Sequence, residues 1–356
     1  MNRLPNLDPL RFFLASLVLL FHLPQLSRNQ GLPYFDGFPL YHRGLEAVYM
    51  FFVLSGFLII RIIYRAKLRD AFSIKDFYVR RVLRIFPLYY LVLGFGLLFY
   101  NVILPSLNIP FEINYTWKEA FFYNVFFLPN VFAKQFEPGG ILEILWSIGI
   151  EEQFYLIIAP MLFFIKVKWV LRALGILFLL YFFIFWSDVF EVLRKYSFVF
   201  FYLFSGGIIA ILEERKNLDF LKRWAIVPAL ICIATILYFT TDFFLMEPLW
   251  LRSLITCLLF SLFIHTIAFN NRGLELNNKL LNHFGSISYG IYMYHAIVLN
   301  AVVFLFLKME MLQNINKILA IVLLHLLTFA GTLLVAHFSY VYFELYFLKL
   351  KNKFRS

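Results

Sequence analysis

The chain is 356 residues long, 62% hydrophobic, 21% aromatic and only 15% charged. A water-soluble globular chain is nearer half apolar and a quarter charged, so this composition excludes an ordinary soluble domain. The net charge of +11 would point to nucleic acid in a soluble protein, but here the basic residues stand between apolar runs and report topology, so no nucleic-acid partner is expected.

Apolar runs fall at 9–25, 45–64, 87–104, 144–165, 169–187, 196–212, 224–241, 249–269, 284–307 and 318–347. Each is long enough to approach the roughly 20 residues of helix that cross a hydrocarbon core. Strands of a membrane barrel alternate polar and apolar residues, which these runs do not, so helices are expected. The fold class that follows is all-α, a polytopic membrane protein of about ten transmembrane helices, with 1–356 as a single transmembrane domain. The last run is long enough to break or to extend past the membrane. The N-terminus lacks the small-residue cleavage site of a signal peptide, so the first helix is read as retained.

Short loops set the orientation through Lys and Arg. With the N-terminus inside, the inner segments hold 22 of them, among them Arg3, Arg80, Arg81, Arg84, Arg272 and Arg355, against eight outside. That asymmetry predicts both termini in the cytoplasm. The two cysteines, Cys232 and Cys257, stand alone in apolar runs and show neither metal-ligand spacing nor a disulfide framework.

Several polar residues are not explained by insertion into a membrane. Arg11 and His22 lie in the first run, eleven residues apart, which is close to three helical turns. Their side chains therefore point the same way, about 16 Å apart along the axis. Snorkelling to the headgroups is the alternative for Arg11, and an interfacial position for His22. Arg80 and Arg84 lie one turn apart in the basic segment 61–86, which is read as a loop. They and Arg81 are either ordinary inner-face charge or a guanidinium cluster for phosphate. Glu46 opens the second run. Glu151 and Glu152 enter the fourth, and adjacent positions of a helix do not share a face. His295 sits near the middle of the ninth run. His265, His325 and His337 have no polar companions at helical spacing and are read as structural.

These residues fall in motifs: Leu7-Asp8-Pro9-Leu10-Arg11 with His22, Phe51-Phe52-Val53-Leu54-Ser55-Gly56-Phe57, Arg80-Arg81-Val82-Leu83-Arg84-Ile85-Phe86-Pro87, Trp146-Ser147-Ile148-Gly149-Ile150-Glu151-Glu152-Gln153-Phe154-Tyr155, and Ser288-Tyr289-Gly290-Ile291-Tyr292-Met293-Tyr294-His295. Together they resemble the membrane acyltransferase-3 family, bacterial enzymes that O-acylate envelope and secreted carbohydrates. The resemblance is to the stand-alone form without an appended esterase-like domain, so a second acyl-handling step is expected to need an envelope-pathway partner protein. It implies a multi-pass protein of the inner (cytoplasmic) membrane, in contact with membrane lipid. Acyl-CoA, acetyl-CoA in the common case, is the implied cytoplasmic donor, with no bound cofactor and no metal. The implied acceptor is a carbohydrate or lipid-linked glycan hydroxyl at the outer face. His22 then matches the family's essential histidine and Arg11 its essential arginine. Arg81 and Arg84, with Arg80 and Ser55, fall on the donor-binding side, and Trp146, Tyr289 and His295 are further candidates. Many members carry Asp where this chain has Tyr49, while Glu46 supplies an acid nearly one turn earlier.

Acyl transfer to a hydroxyl needs a base, which His22 suits. Glu46, Glu151 or Glu152 is expected to orient its imidazole, as the acid does in a triad. An acyl-histidine intermediate is the competing route. A transporter or flippase with intramembrane charges as its path is the alternative function, and a non-catalytic assembly subunit a third. No second copy of the Arg11/His22 pattern supports the transporter reading. Tyr34, Phe35, Tyr115, Trp117 and Tyr123 in the outer segments 26–44 and 105–143 are candidates for stacking on sugars or for anchoring at the interface.

Overall fold

The computed structural model describes residues 4–224, 226–269, 276, 278–309 and 315–354. Arg3, Arg272 and Arg355, counted among the inner-face charges, lie outside them. Each apolar run carries a helix among the described residues, and none of those residues forms a strand. The main helices are α1 (Leu7–Asn29), α2 (Gly44–Leu68), α3 (Ile74–Leu98), α4 (Trp117–Val125), α5 (Pro129–Phe136), α6 (Trp146–Phe164) and α7 (Val170–Trp186). They continue with α8 (Phe200–Glu214), α9 (Ile226–Thr240), α10 (Leu249–Phe269), α11 (Lys279–Ser286), α12 (Ser288–Lys308), α13 (Lys317–Ser339) and α14 (Leu345–Lys351).

Among the described residues, seven helices are long and apolar enough to cross a membrane, and an eighth if the pair Asp188–Lys195 and Phe200–Glu214, bent by 87°, is one span. The chain is a multi-pass membrane protein. Ten apolar runs do form helices, but three fall short of the seven for physical reasons. Glu151, Glu152 and Gln153 lower the hydropathy of α6. Helices α8 and α9 have 15 residues each, roughly 22 Å at 1.5 Å per residue, against a hydrocarbon core of about 30 Å.

Two boundaries differ from expectation. The segment 61–86 is not a loop. Helix α2 runs to Leu68, and α3 begins at Ile74, where the Ser73 hydroxyl accepts the Asp76 backbone N–H at 3.2 Å. That cap offsets one of the amide donors a helix start leaves without a partner. Arg80, Arg81 and Arg84 therefore sit on a helix that passes through Pro87. The last run is likewise one stretch of 35 residues, Lys317–Lys351, with a wide π-helical turn at Tyr340–Glu344. A second such turn, Phe99–Ile103, extends α3. The polar stretch 105–143 carries α4 and α5. A reciprocal cap starts α4, and the backbone N–H and hydroxyl of Thr116 bond Glu119 and hold its carboxyl below the usual range.

The chain divides into two compact units, Met1–Phe51 with Phe220–Phe343, and Phe52–Asp219 with Glu344–Ser356. In the first unit α1 packs on α11 and α12, α12 on α13, and α9 on α10. Leu19, Leu23, Val298, Leu299, Val302, Val303, Phe306, Ala320 and Leu324 make one apolar cluster from α1, α12 and α13. All seven histidines of the chain belong to this unit. In the second unit α3 packs on α6 and α14, and α8 on α6 and α7. Helices α2 and α8 meet through glycines. A Cβ on Gly56 would lie 1.9 Å from the Leu203 carbonyl oxygen, and one on Gly206 1.9 Å from that of Val53. Only residues without a side chain let two backbones come this close.

Candidate functional site

The first unit brings together two histidines that stand far apart in the sequence. His22 extends from α1 and is half-buried, with the Phe21 ring edge-on to it at 5.0 Å. The ring of His295, from α12, lies 5.3 Å from that of His22 at an angle of 29°. His295 is fully enclosed, at 0% exposure. Its Nδ1 is 2.5 Å from the carbonyl oxygen of Tyr292. A carbonyl only accepts, so Nδ1 carries the proton, and in the neutral ring Nε2 presents a lone pair. That Nε2 has no hydrogen-bond partner among the described residues. The ring beside the proposed base is thus an imidazole.

At the start of the same helix, Arg11 forms an ion pair with Asp8, one turn earlier, and both are partly exposed. A Cβ on Gly285 of α11 would come 2.1 Å from the Asp8 carbonyl oxygen, so α11 crosses α1 at this turn. Tyr289 is half-buried in the first turn of α12.

Glu46, in the first turn of α2, is enclosed among arginines. Its Oε1 accepts from Arg252 Nη2 at 2.6 Å and lies 3.8 Å from Arg43 Nη1. Arg43 in turn donates to Asp242 and to the Thr241 carbonyl, both at 2.7 Å. The cluster alternates acid and base, which is how buried charges escape the cost of isolation. Arg43 and Asp242 are not among the residues singled out from sequence. Glu46 and an arginine within an apolar run, Arg252, are the signals of this cluster that sequence offers.

The second unit holds the other motif residues. Ser55 on α2 hydrogen-bonds the hydroxyl of Tyr155 on α6, which itself donates to Glu151 Oε2 at 2.7 Å. Ser55 also hydrogen-bonds Glu151, so the three side chains form one network. Arg81 interacts electrostatically with Tyr155, Glu151, Glu152 and Arg84, and stacks over Phe77 at 5.9 Å. Glu152 points elsewhere than Glu151, toward Tyr89 and Tyr90, and its Oε1 has no hydrogen-bond partner among the described residues. The pair divides between two faces, as adjacent helical positions must. Arg80 donates to the Phe354 carbonyl at 2.6 Å and also interacts electrostatically with Arg81. Trp146 opens α6 edge-on to Phe52 at 5.9 Å. Among the described residues no group of three or more His, Cys, Asp or Glu gathers closely enough to hold a metal ion.

A single family model, described as an acyltransferase domain, matches residues 4–337, and so every motif named above. The chain belongs to this acyltransferase family. Its relatives include the peptidoglycan O-acetyltransferase OatA of Listeria monocytogenes, 31% identical over 176 residues, which are 47% of this chain and 25% of that protein. An uncharacterized protein of Haemophilus influenzae is 27% identical over 246 residues, 62% of this chain and 98% of that one. A Bacillus subtilis relative is 31% identical over 163 residues, 43% of this chain and 23% of that protein. The chain thus spans about a quarter of the length of the Listeria and Bacillus relatives. No solved structure matches it.

Proposed function

We propose that residues 1–356 form one transmembrane acyltransferase domain of the inner membrane. It moves an acyl group, acetyl in the first instance, from cytoplasmic acyl-CoA to a hydroxyl of an envelope or secreted carbohydrate. The family match over 4–337 carries this reading, because it takes in His22, the one imidazole on α1. The Listeria relative's name supports O-acetylation of a glycan.

His22 is the general base. An imidazole has an ordinary pKa near 6.5, so its neutral form takes the acceptor hydroxyl's proton at neutral pH. The oxygen then bonds the acyl carbon, the carbon–sulfur bond breaks, and the proton passes to the departing thiolate. Positioned base catalysis of this kind contributes about 10²–10⁴-fold. Arg11, Arg81 and Arg84, with Arg80, serve the donor's phosphates through paired N–H donors. Ser55 is placed on the same donor side. Glu151 and Glu152 are assigned to the charge of the second unit. Trp146 and Tyr289 support the motifs in which they stand, and an envelope-pathway partner protein receives or presents the glycan.

The test is release of free CoA thiol by purified protein given acetyl-CoA and a glycan acceptor. Wild type is expected to release thiol in proportion to glycan, and His22→Ala to lose about 10²-fold or more of the rate while remaining monodisperse. Glycan movement across vesicles without thiol release would replace this reading with transport, and wild-type rates in His22→Ala would remove His22 from the chemistry.

A further inference from the structure

We infer that His295 is the hydrogen-bond acceptor that orients His22, so that the base of this enzyme is held by a second histidine and not by a carboxylate. The assignment rests on the acyl-transfer reading above and names the partner that reading leaves open.

Four observations carry it. His295 is fully enclosed, yet its Nε2 has no partner among the described residues. A buried acceptor left without a donor costs about 1–3 kcal/mol, so a donor is to be expected in the working state. The Nδ1–H···O=C bond to Tyr292 fixes the tautomer in which Nε2 is the lone pair. The ring against His295 is that of His22, at 5.3 Å between centroids. A second histidine pair in the same unit calibrates that distance. His283 Nε2 and His337 Nδ1 are hydrogen-bonded at 3.0 Å, with ring centroids 5.0 Å apart. The His22–His295 separation is therefore close to that of a bonded pair, and the bond forms once the His22 ring turns from its present hydrogen bond with the Gln25 side chain.

Two of the three carboxylates named as partners from sequence are engaged elsewhere. Glu46 accepts from Arg252, and Glu151 accepts from Tyr155. With one His22 nitrogen donating to His295 Nε2, its other nitrogen is a lone pair. The acceptor hydroxyl's proton moves to that lone pair as the oxygen–carbon bond forms. The resulting imidazolium keeps its hydrogen bond to His295, and the proton leaves on the thiolate as the carbon–sulfur bond breaks. No proton is gained or lost over the cycle. His295 is a positioning residue in this scheme, since it acts through His22.

Two variants separate this role from packing. His295→Phe keeps the ring and loses the acceptor, and is expected to lower kcat by about 10²-fold or more with KM for both substrates within about twofold. His295→Gln places a carbonyl oxygen near the position of Nε2, and is expected to keep kcat within about tenfold of wild type. Should His295→Phe not fold, His295→Met serves as the variant without an acceptor. Wild-type kcat in the Phe or Met variant would overturn the assignment. So would a folded Gln variant as inactive as they are. A wild-type protein that releases no CoA would overturn the acyl-transfer reading itself, which the variants alone do not address.

Discussion

The two units handle polar groups in opposite ways. The first contains all seven histidines, and its best-enclosed acid, Glu46, is neutralised by Arg43 and Arg252. Its histidines are left to one another and to neutral groups. His22 lies on His295, His283 bonds His337, and His325 bonds Tyr41. The second unit has no histidine; its buried acids Glu151 and Glu152 share Arg81, and Glu151 also accepts from the Tyr155 hydroxyl. The imidazoles are thus confined to the first unit, whereas enclosed acids beside an arginine mark the second. An unperturbed imidazole exchanges its proton near neutral pH, while a guanidinium does not.

That contrast is open to attack by substitution. The largest effect on stability is expected from Arg252→Ala, which strips Glu46 of its nearest partner and leaves a carboxylate enclosed, at about 3–5 kcal/mol. Thermal unfolding in detergent reads it. The double variant Glu46→Gln with Arg252→Met should recover most of the loss, and an unchanged midpoint in Arg252→Ala would show that the cluster does not balance charge in the first unit. In the second unit, Gly206→Ala places a methyl group on the Val53 carbonyl oxygen and should cost about 3 kcal/mol, by overpacking and not by charge. Equal stability there would mean that α2 and α8 are not in backbone contact. The smallest effect is expected from Tyr155→Phe, about 1–2 kcal/mol, because Glu151 loses one hydrogen bond while Arg81 remains nearby. A change as large as that of Arg252→Ala would make the tyrosine, and not the arginine, the main support of the acid in the second unit.

Much of this protein is legible in its sequence, and what is not has a common cause. Apolar runs marked the helices because a membrane imposes length and hydropathy on each helix separately. The five motifs carried the family because each is local. The start of α3 was missed because Pro87 and a run of basic residues look like a loop, whereas the Ser73 cap begins the helix earlier. The pairing of Arg11 with Asp8 was available from their spacing of three residues. The neighbours of His22 and Glu46 were not. His295 and Arg252 lie more than 200 positions away in sequence, and no periodicity within α1 or α2 reports on them. Two residues on different helices meet only through the packing of those helices, which here depends on small residues such as Gly285 against α1.

The glycine contact between α2 and α8 has a consequence for traffic. With carbonyl oxygens resting against the α-carbons of Gly56 and Gly206, the gap between these helices admits neither a lipid tail nor a pantetheine arm. Under the proposed acyl transfer, a donor arm that enters the second unit has to pass elsewhere than these two contacts, and photo-crosslinkable donors should label neighbours of that route while leaving Val53 and Leu203 untouched.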